Sequence, residues 1–250
     1  MGLIALLLAA LAFSSCRGPQ RITLTISAAA SLQNAIVEAE AAYKQNHPLV
    51  DFRNNFGSSG TLAREIEDGA PVDAFFSAAS KPMDDLAQKS LLVAGTRRDL
   101  LRNSLVLIAP LDSYLAGFDS LTDPSVKLIA LGDPASVPAG QYGKQTLAAL
   151  HIYDRIQKKL VLGKDVRQVL TYVETGNADA GLVYATDALI SSKVRVVATA
   201  PDATHDPIVY PAAVIASSRT ESAARDFVAF LTTPPAMTIF VKHGFTIAPQ

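Results

Sequence analysis

An α/β fold in two lobes, each a mostly parallel sheet flanked by helices, is predicted by three features of the sequence. Short apolar stretches alternate along the chain with segments of helical spacing, the pattern of parallel sheets covered on both faces. Two stretches, 103–110 and 209–215, have the character of strands that pass from one sheet to another. With 250 residues, 49% of them hydrophobic, the chain can bury a sizeable core.

Taken in order, Ile22, Leu24 and Ile26 alternate with Thr23 and Thr25 in a first strand. Ser31 then stands as an N-cap, followed by Leu32, Ala35, Ile36, Ala39 and Tyr43 at helical spacing. Residues 49–53 form a second strand, and 61–68 a helix closed by Gly69. A strand at 72–77 and a helix at 81–89 follow. Further strands are expected at 104–109, 127–131, 181–184, 194–198 and 209–216. Further helices are expected at 141–150, 153–160, 165–174, 221–231 and 236–242. The division that results is lobe I from 21–104 plus 209–250, and lobe II from 105–208.

The N-terminus is of another kind. Leu3 to Phe13 is an unbroken run of 11 apolar side chains, too short to span a bilayer comfortably and the length of a signal-peptide core. Ser14-Ser15-Cys16 after it resembles a bacterial lipobox, although Phe13 stands where that motif prefers leucine and no Lys or Arg precedes the run. The expectation is a signal peptide over 1–15, cleavage before a lipidated Cys16, a spacer at 16–20, and export to the periplasm or cell envelope. Cys16 is the only cysteine, so no intrachain disulfide can form. This run also supplies much of the mean hydropathy of +0.24. With 22 basic against 23 acidic side chains, the chain lacks the positive surplus of a general nucleic-acid binder.

Enzyme motifs fail residue by residue. Around Ser59, a Gly-x-Ser-x-Gly elbow would need glycine where Thr61 stands. Gly143-Lys144 is followed by Gln145, and Pro138 occupies the first glycine position of a P-loop. The histidines at 47, 151, 205 and 243 are scattered, with no metal-binding pair. Glu65 and Asp68 fit a solvated helix face better than an acid pair. No nucleophile, base and orienter stand at recognisable spacing, and no enzyme is expected.

What remains is a set of small, hydroxyl-bearing turns after strands. Ser27-Ala28-Ala29-Ala30-Ser31 precedes one helix, and Phe56-Gly57-Ser58-Ser59-Gly60-Thr61 opens another. Ligands of open α/β sheets bind beyond the carboxyl ends of the strands. Helix N-termini offer unpaired N–H groups and the positive end of a dipole. Two such turns on one cleft would hold an anion without a charged side chain; two ordinary serine caps would look the same in sequence.

The ordered series is more specific. Ala28-Ala29-Ala30-Ser31-Leu32, Phe56 to Arg64, Gly69 to Asp73, Asn103-Ser104-Leu105-Val106, Gly132-Asp133-Pro134, Val137-Pro138-Ala139-Gly140, Asp165-Val166-Arg167, Leu182-Val183-Tyr184, Tyr210-Pro211 and Lys242 to Phe245 follow one another over 21–247. In these motifs the chain resembles the molybdate-binding receptors of bacterial ABC importers, which have the type II periplasmic-binding-protein fold. The resemblance implies a high-affinity receptor for molybdate, and also tungstate, that takes the oxyanion between two lobes and delivers it to a membrane permease with its ATPase. It implies a monomer with no cofactor, and molybdenum present only within the oxyanion, with no direct protein ligand to the metal.

Carried over by motif, the ligand groups are Ser31 and Ser59 from lobe I, and Ala139, Val166 and Tyr184 from lobe II. The serines would donate hydroxyl and backbone N–H bonds, Ala139 and Val166 their backbone amides only, and Tyr184 its phenolic O–H. Some relatives carry serine where this chain has Gly60, which removes one possible hydroxyl. Arg64 and Lys144 are expected on helix surfaces or lobe edges. A receptor for sulfate or phosphate, or an enzyme on the same scaffold, are the competing expectations.

Overall fold

The computed structural model describes residues 21–249. The signal-peptide and spacer expectations, Cys16 included, lie outside the described residues. The chain begins with β1 (Ile22–Ala29), α1 (Gln33–Asn46), β2 (Val50–Gly57), α2 (Ser59–Glu67), β3 (Ala74–Phe76), α3 (Ser80–Gln88) and β4 (Arg98–Arg102). It continues through β5 (Leu105–Pro110), β6 (Ile129–Gly132), α4 (Pro138–Ala149), α5 (Tyr153–Ile156), β7 (Leu160–Gly163), α6 (Val166–Glu174), β8 (Ala180–Tyr184), α7 (Ala185–Leu189) and β9 (Val194–Thr199). It closes with β10 (Val209–Val214), α8 (Glu221–Phe230), α9 (Pro234–Lys242) and β11 (Thr246–Ile247).

Two sheets result. The first has the order β11-β4-β10-β3-β1-β2, the second β7-β6-β8-β5-β9. The chain leaves the first sheet at Asn103–Ser104, between β4 and β5, and returns between β9 and β10. The return is fastened by aromatic packing. Phe227 of α8 lies 4.7 Å from Phe52 of β2 and 5.2 Å from Tyr43 of α1, centroid to centroid. Its full burial fixes the C-terminal segment against the first sheet, at a contribution of roughly 1.5–3 kcal/mol for that side chain.

Both sheets are mixed, which corrects the expectation of mostly parallel sheets. β1 pairs in parallel with β2 and β3, and β6 with β7 and β8. β10 runs antiparallel to β3 and β4, β11 to β4, and β5 to β8 and β9. A parallel pair needs a crossover, usually a helix, that brings the chain back to the same end of the sheet. β5 and β10 enter from the other sheet, with no such crossover, and so can pair antiparallel.

Local differences have local causes. Ser31 is not an N-cap: it sits inside a 3₁₀ turn, Ala30–Leu32, that leads into α1. The helix expected at 153–160 stops at Ile156, and after a 3₁₀ turn, Gln157–Lys159, Leu160 begins β7. Four residues are too few for their pairing to show in sequence periodicity. Gly69 closes α2 as expected, with φ +90°.

Candidate anion site

The five expected site residues line one small cavity between the segments that carry the two sheets. Its free volume, about 10 Å³, is room for about one water-sized group. Ser59 is wholly buried and the other four are at most 4% exposed. None of the residues lining the cavity carries a charge.

Each arrives by its own element. Ser59 opens α2 and is held there by the N-cap Ser58, whose Oγ accepts from Thr61 N–H at 3.3 Å. Ala139 lies in the first turn of α4, where Pro138 suits the helix start. Val166 opens α6, capped by Asp165, whose carboxylate accepts from Gln168 N–H at 2.9 Å. Tyr184 ends β8, and Ser31 follows β1. The first N–H groups of a helix have no partner within it. Three helices of nine residues or more therefore start at the cavity, with the positive ends of their dipoles toward it.

Second partners orient the hydroxyls. Ser59 Oγ accepts from Ala78 N–H at 2.8 Å, so its own hydrogen stays free to donate. Ser31 Oγ lies 3.0 Å from Tyr210 Oη. Tyr184 Oη donates a long bond, 3.4 Å, to Ala78 O, which its single hydrogen would have to leave to donate to an anion. Burial raises the Tyr184 phenol well above its ordinary pKa, which keeps it a neutral donor.

Four further residues belong to the surroundings and were not singled out from sequence. Arg167 pairs through Nε with Asp187 Oδ1 at 2.6 Å, and its Nη2 reaches Ser31 O at 3.4 Å. Burial pushes the fully enclosed Asp187 up to about 6, against the pull of the Arg167 guanidinium. Asn103 and Tyr210 stand behind Ser31. Asn103, Arg167 and Tyr210 fall in segments that carry the family resemblance, but nothing in the sequence places them beside Ser31. Asp187 has no local signal at all.

Gly60 fills a role beyond a missing hydroxyl. Its N–H donates to Ser136 O at 3.0 Å across the cleft, and a Cβ there would lie 2.6 Å from that carbonyl. Arg64 lines a wider groove of about 440 Å³ beside Gly60, and the Lys144 ammonium sits 5.5 Å over the Tyr153 ring.

Similarity to known proteins covers most of the chain. A Bacillus subtilis (strain 168) protein named as a candidate substrate-binding lipoprotein of an ABC transporter is 44% identical over 93% of this chain and 90% of its own length. A molybdate-binding protein of Escherichia coli (strain K12) is 42% identical over 90% of this chain and 89% of its own. The solved periplasmic molybdate-binding protein of Azotobacter vinelandii shares the fold with a TM-score of 0.82, at 23% identity, over 91% of this chain and 100% of that one. The sequence pattern of bacterial extracellular solute-binding proteins matches residues 24–246, and to that family the chain belongs.

Proposed function

We propose that this chain is the receptor of an ABC importer for molybdate, and also tungstate, holding the oxyanion with Ser31, Ser59, Ala139, Val166 and Tyr184. The observation that carries the reading is a small, buried, uncharged cavity faced by three helix starts and by the hydroxyls of Ser31, Ser59 and Tyr184. Fixed N–H dipoles compensate a buried dianion much as an oxyanion hole does, without a countercharge. Relatives named for molybdate support the choice of anion. The two lobes of the reading are 21–104 with 209–250, and 105–208, a division supported by which strands share a sheet.

The task is capture and release rather than turnover. The protein works as a monomer in the periplasm or cell envelope, held by a lipidated Cys16, and hands the anion to a membrane permease with its ATPase. Firm attachment takes more than one acyl chain. Intact-mass analysis of the mature protein tests the anchor; an unlipidated N-terminus at another residue would refute it.

The ligand is tested by thermal unfolding with molybdate, tungstate, sulfate and phosphate side by side. A ligand at 100 times its Kd adds ~2.7 kcal/mol to the bound protein. Molybdate and tungstate are expected to raise the melting temperature clearly, with sulfate and phosphate weak at the same concentration. A response to sulfate or phosphate alone overturns the assignment.

A further inference from the structure

The buried groups behind Ser31 form a chain whose direction can be worked out. Asn103 Oδ1 accepts from Ser104 N–H at 2.9 Å, which assigns the other end of the amide as the donor. Asn103 Nδ2 then donates to Thr186 Oγ1 at 2.9 Å and to Tyr210 Oη at 3.2 Å. Tyr210 Oη, already accepting from Asn103, can give its single hydrogen to Ser31 Oγ, 3.0 Å away. In that arrangement Ser31 Oγ accepts, and its own hydrogen is turned out of the chain. Tyr210 is 1% exposed and does not line the cavity, whereas Ser31 does.

We propose that Asn103 and Tyr210 are positioning residues: through Asn103→Tyr210→Ser31 they fix the Ser31 hydroxyl as a donor toward the bound oxyanion. The assignment rests on the oxyanion reading above and adds two residues that would not touch the ligand. Burial keeps Tyr210 a neutral phenol, so the direction of the chain holds across the ordinary pH range. Two edge-to-face contacts hold the ring, from Tyr184 at 5.7 Å and Phe245 at 5.3 Å between centroids. Tyr210→Phe retains both and removes only the oxygen. Without it, Ser31 becomes a free rotor that must be ordered when the ligand binds.

The test is a double-mutant cycle by titration calorimetry on parent, Tyr210→Phe, Ser31→Ala and the double variant. The anion used is whichever of molybdate, tungstate, sulfate or phosphate stabilises the parent in the thermal assay. Ser31→Ala is expected to weaken binding roughly ten- to hundredfold. Tyr210→Phe should weaken it about two- to tenfold. The double variant should bind no worse than Ser31→Ala alone, because the tyrosine acts only through that hydroxyl. General loosening of the fold would instead weaken the Ser31→Ala background further. Asn103→Ala should reproduce the Tyr210→Phe loss and add nothing to it. Parent-like binding by Tyr210→Phe, or losses that multiply in the double variant, overturns the positioning role while leaving the receptor reading intact. A parent that binds none of the four anions overturns both.

Discussion

In the proposed reading, Ser59 and Val166 would serve the anion in two different ways. Ser59 Oγ is already tied to Ala78 N–H at 2.8 Å, so its hydrogen has one direction left to donate. Val166 can offer only the backbone N–H at the start of α6. A hydrogen bond to a charged group contributes about 1.5–3 kcal/mol. Ser59→Ala is therefore expected to weaken molybdate binding roughly ten- to hundredfold, while Val166→Ala, which keeps its amide, changes it little. Tyr184→Phe should fall near Ser59→Ala. Calorimetric titration of the three variants decides: parent-like binding by Ser59→Ala would sink the donor assignment. The hydroxyl-bearing turns at Ser31 and Ser59 were legible in the sequence. Ala139 and Val166 were not, except by family resemblance, because a backbone donor leaves no trace in residue type.

At the level of elements, the start of α2 does more than present Ser59. The Gly60 N–H donates across the cleft to Ser136 O in the loop before α4, and any Cβ at position 60 meets that carbonyl at 2.6 Å. The obstacle is backbone on both sides, so it cannot swing away as a flexible side chain would. Serine at position 60 would add a hydroxyl but separate α2 from the loop that leads into α4. Gly60→Ser is expected to weaken molybdate binding by about tenfold or more, an effect of 1.4 kcal/mol or above. Scattering from the molybdate-bound variant should give a larger radius of gyration than the bound parent. An unchanged affinity together with an unchanged radius would remove Gly60 from the account of closure. The sequence marked α2 well, with its serine start and glycine stop. It did not mark β4, β7, α7 or β11, which are short and depend on neighbours that arrive from elsewhere in the chain.

For the whole molecule, three hydrogen bonds among the described residues join the segments that carry the two sheets around the cavity, besides Asn103 Nδ2 to Thr186 Oγ1 and Ala185 N–H to Ser104 O near the point where the chain changes sheet. The three run from Gly60 N–H to Ser136 O, from Tyr184 Oη to Ala78 O, and from Arg167 Nη2 to Ser31 O. Two of the three are 3.4 Å long and add little hold of their own. A ligand shifts open to closed only through its extra affinity for the closed form, which in the proposed reading comes from the donors of the far lobe. The radius of gyration of the parent is expected to fall when molybdate is added, and an unchanged value counts against closure. Stability carries a separate pH signature from Glu40, on the inner face of α1. Burial raises its pKa to about 7, although Asn54 Nδ2 donates to Oε2 at 2.9 Å. A carboxyl raised in the folded state favours folding at low pH, and that contribution is lost as pH rises through about 7. Glu40→Gln is therefore expected to stabilise the protein at pH 8 by on the order of 1–3 kcal/mol, and by much less at pH 5. Equal shifts in melting temperature at the two pH values would refute this.

The sequence by itself determined the alternation of strands and helices, the two stretches where the chain changes sheet, and the two serine-bearing turns. Each of these is written in local periodicity or residue type. Tertiary structure alone decided that the sheets are mixed, since strand direction follows from where a strand enters. It also decided that Ser31 answers to Tyr210, 179 residues away, and that the buried Asp187 answers to Arg167. Hydrogen-bond direction and burial belong to groups brought together from distant parts of the chain, and no local pattern carries them.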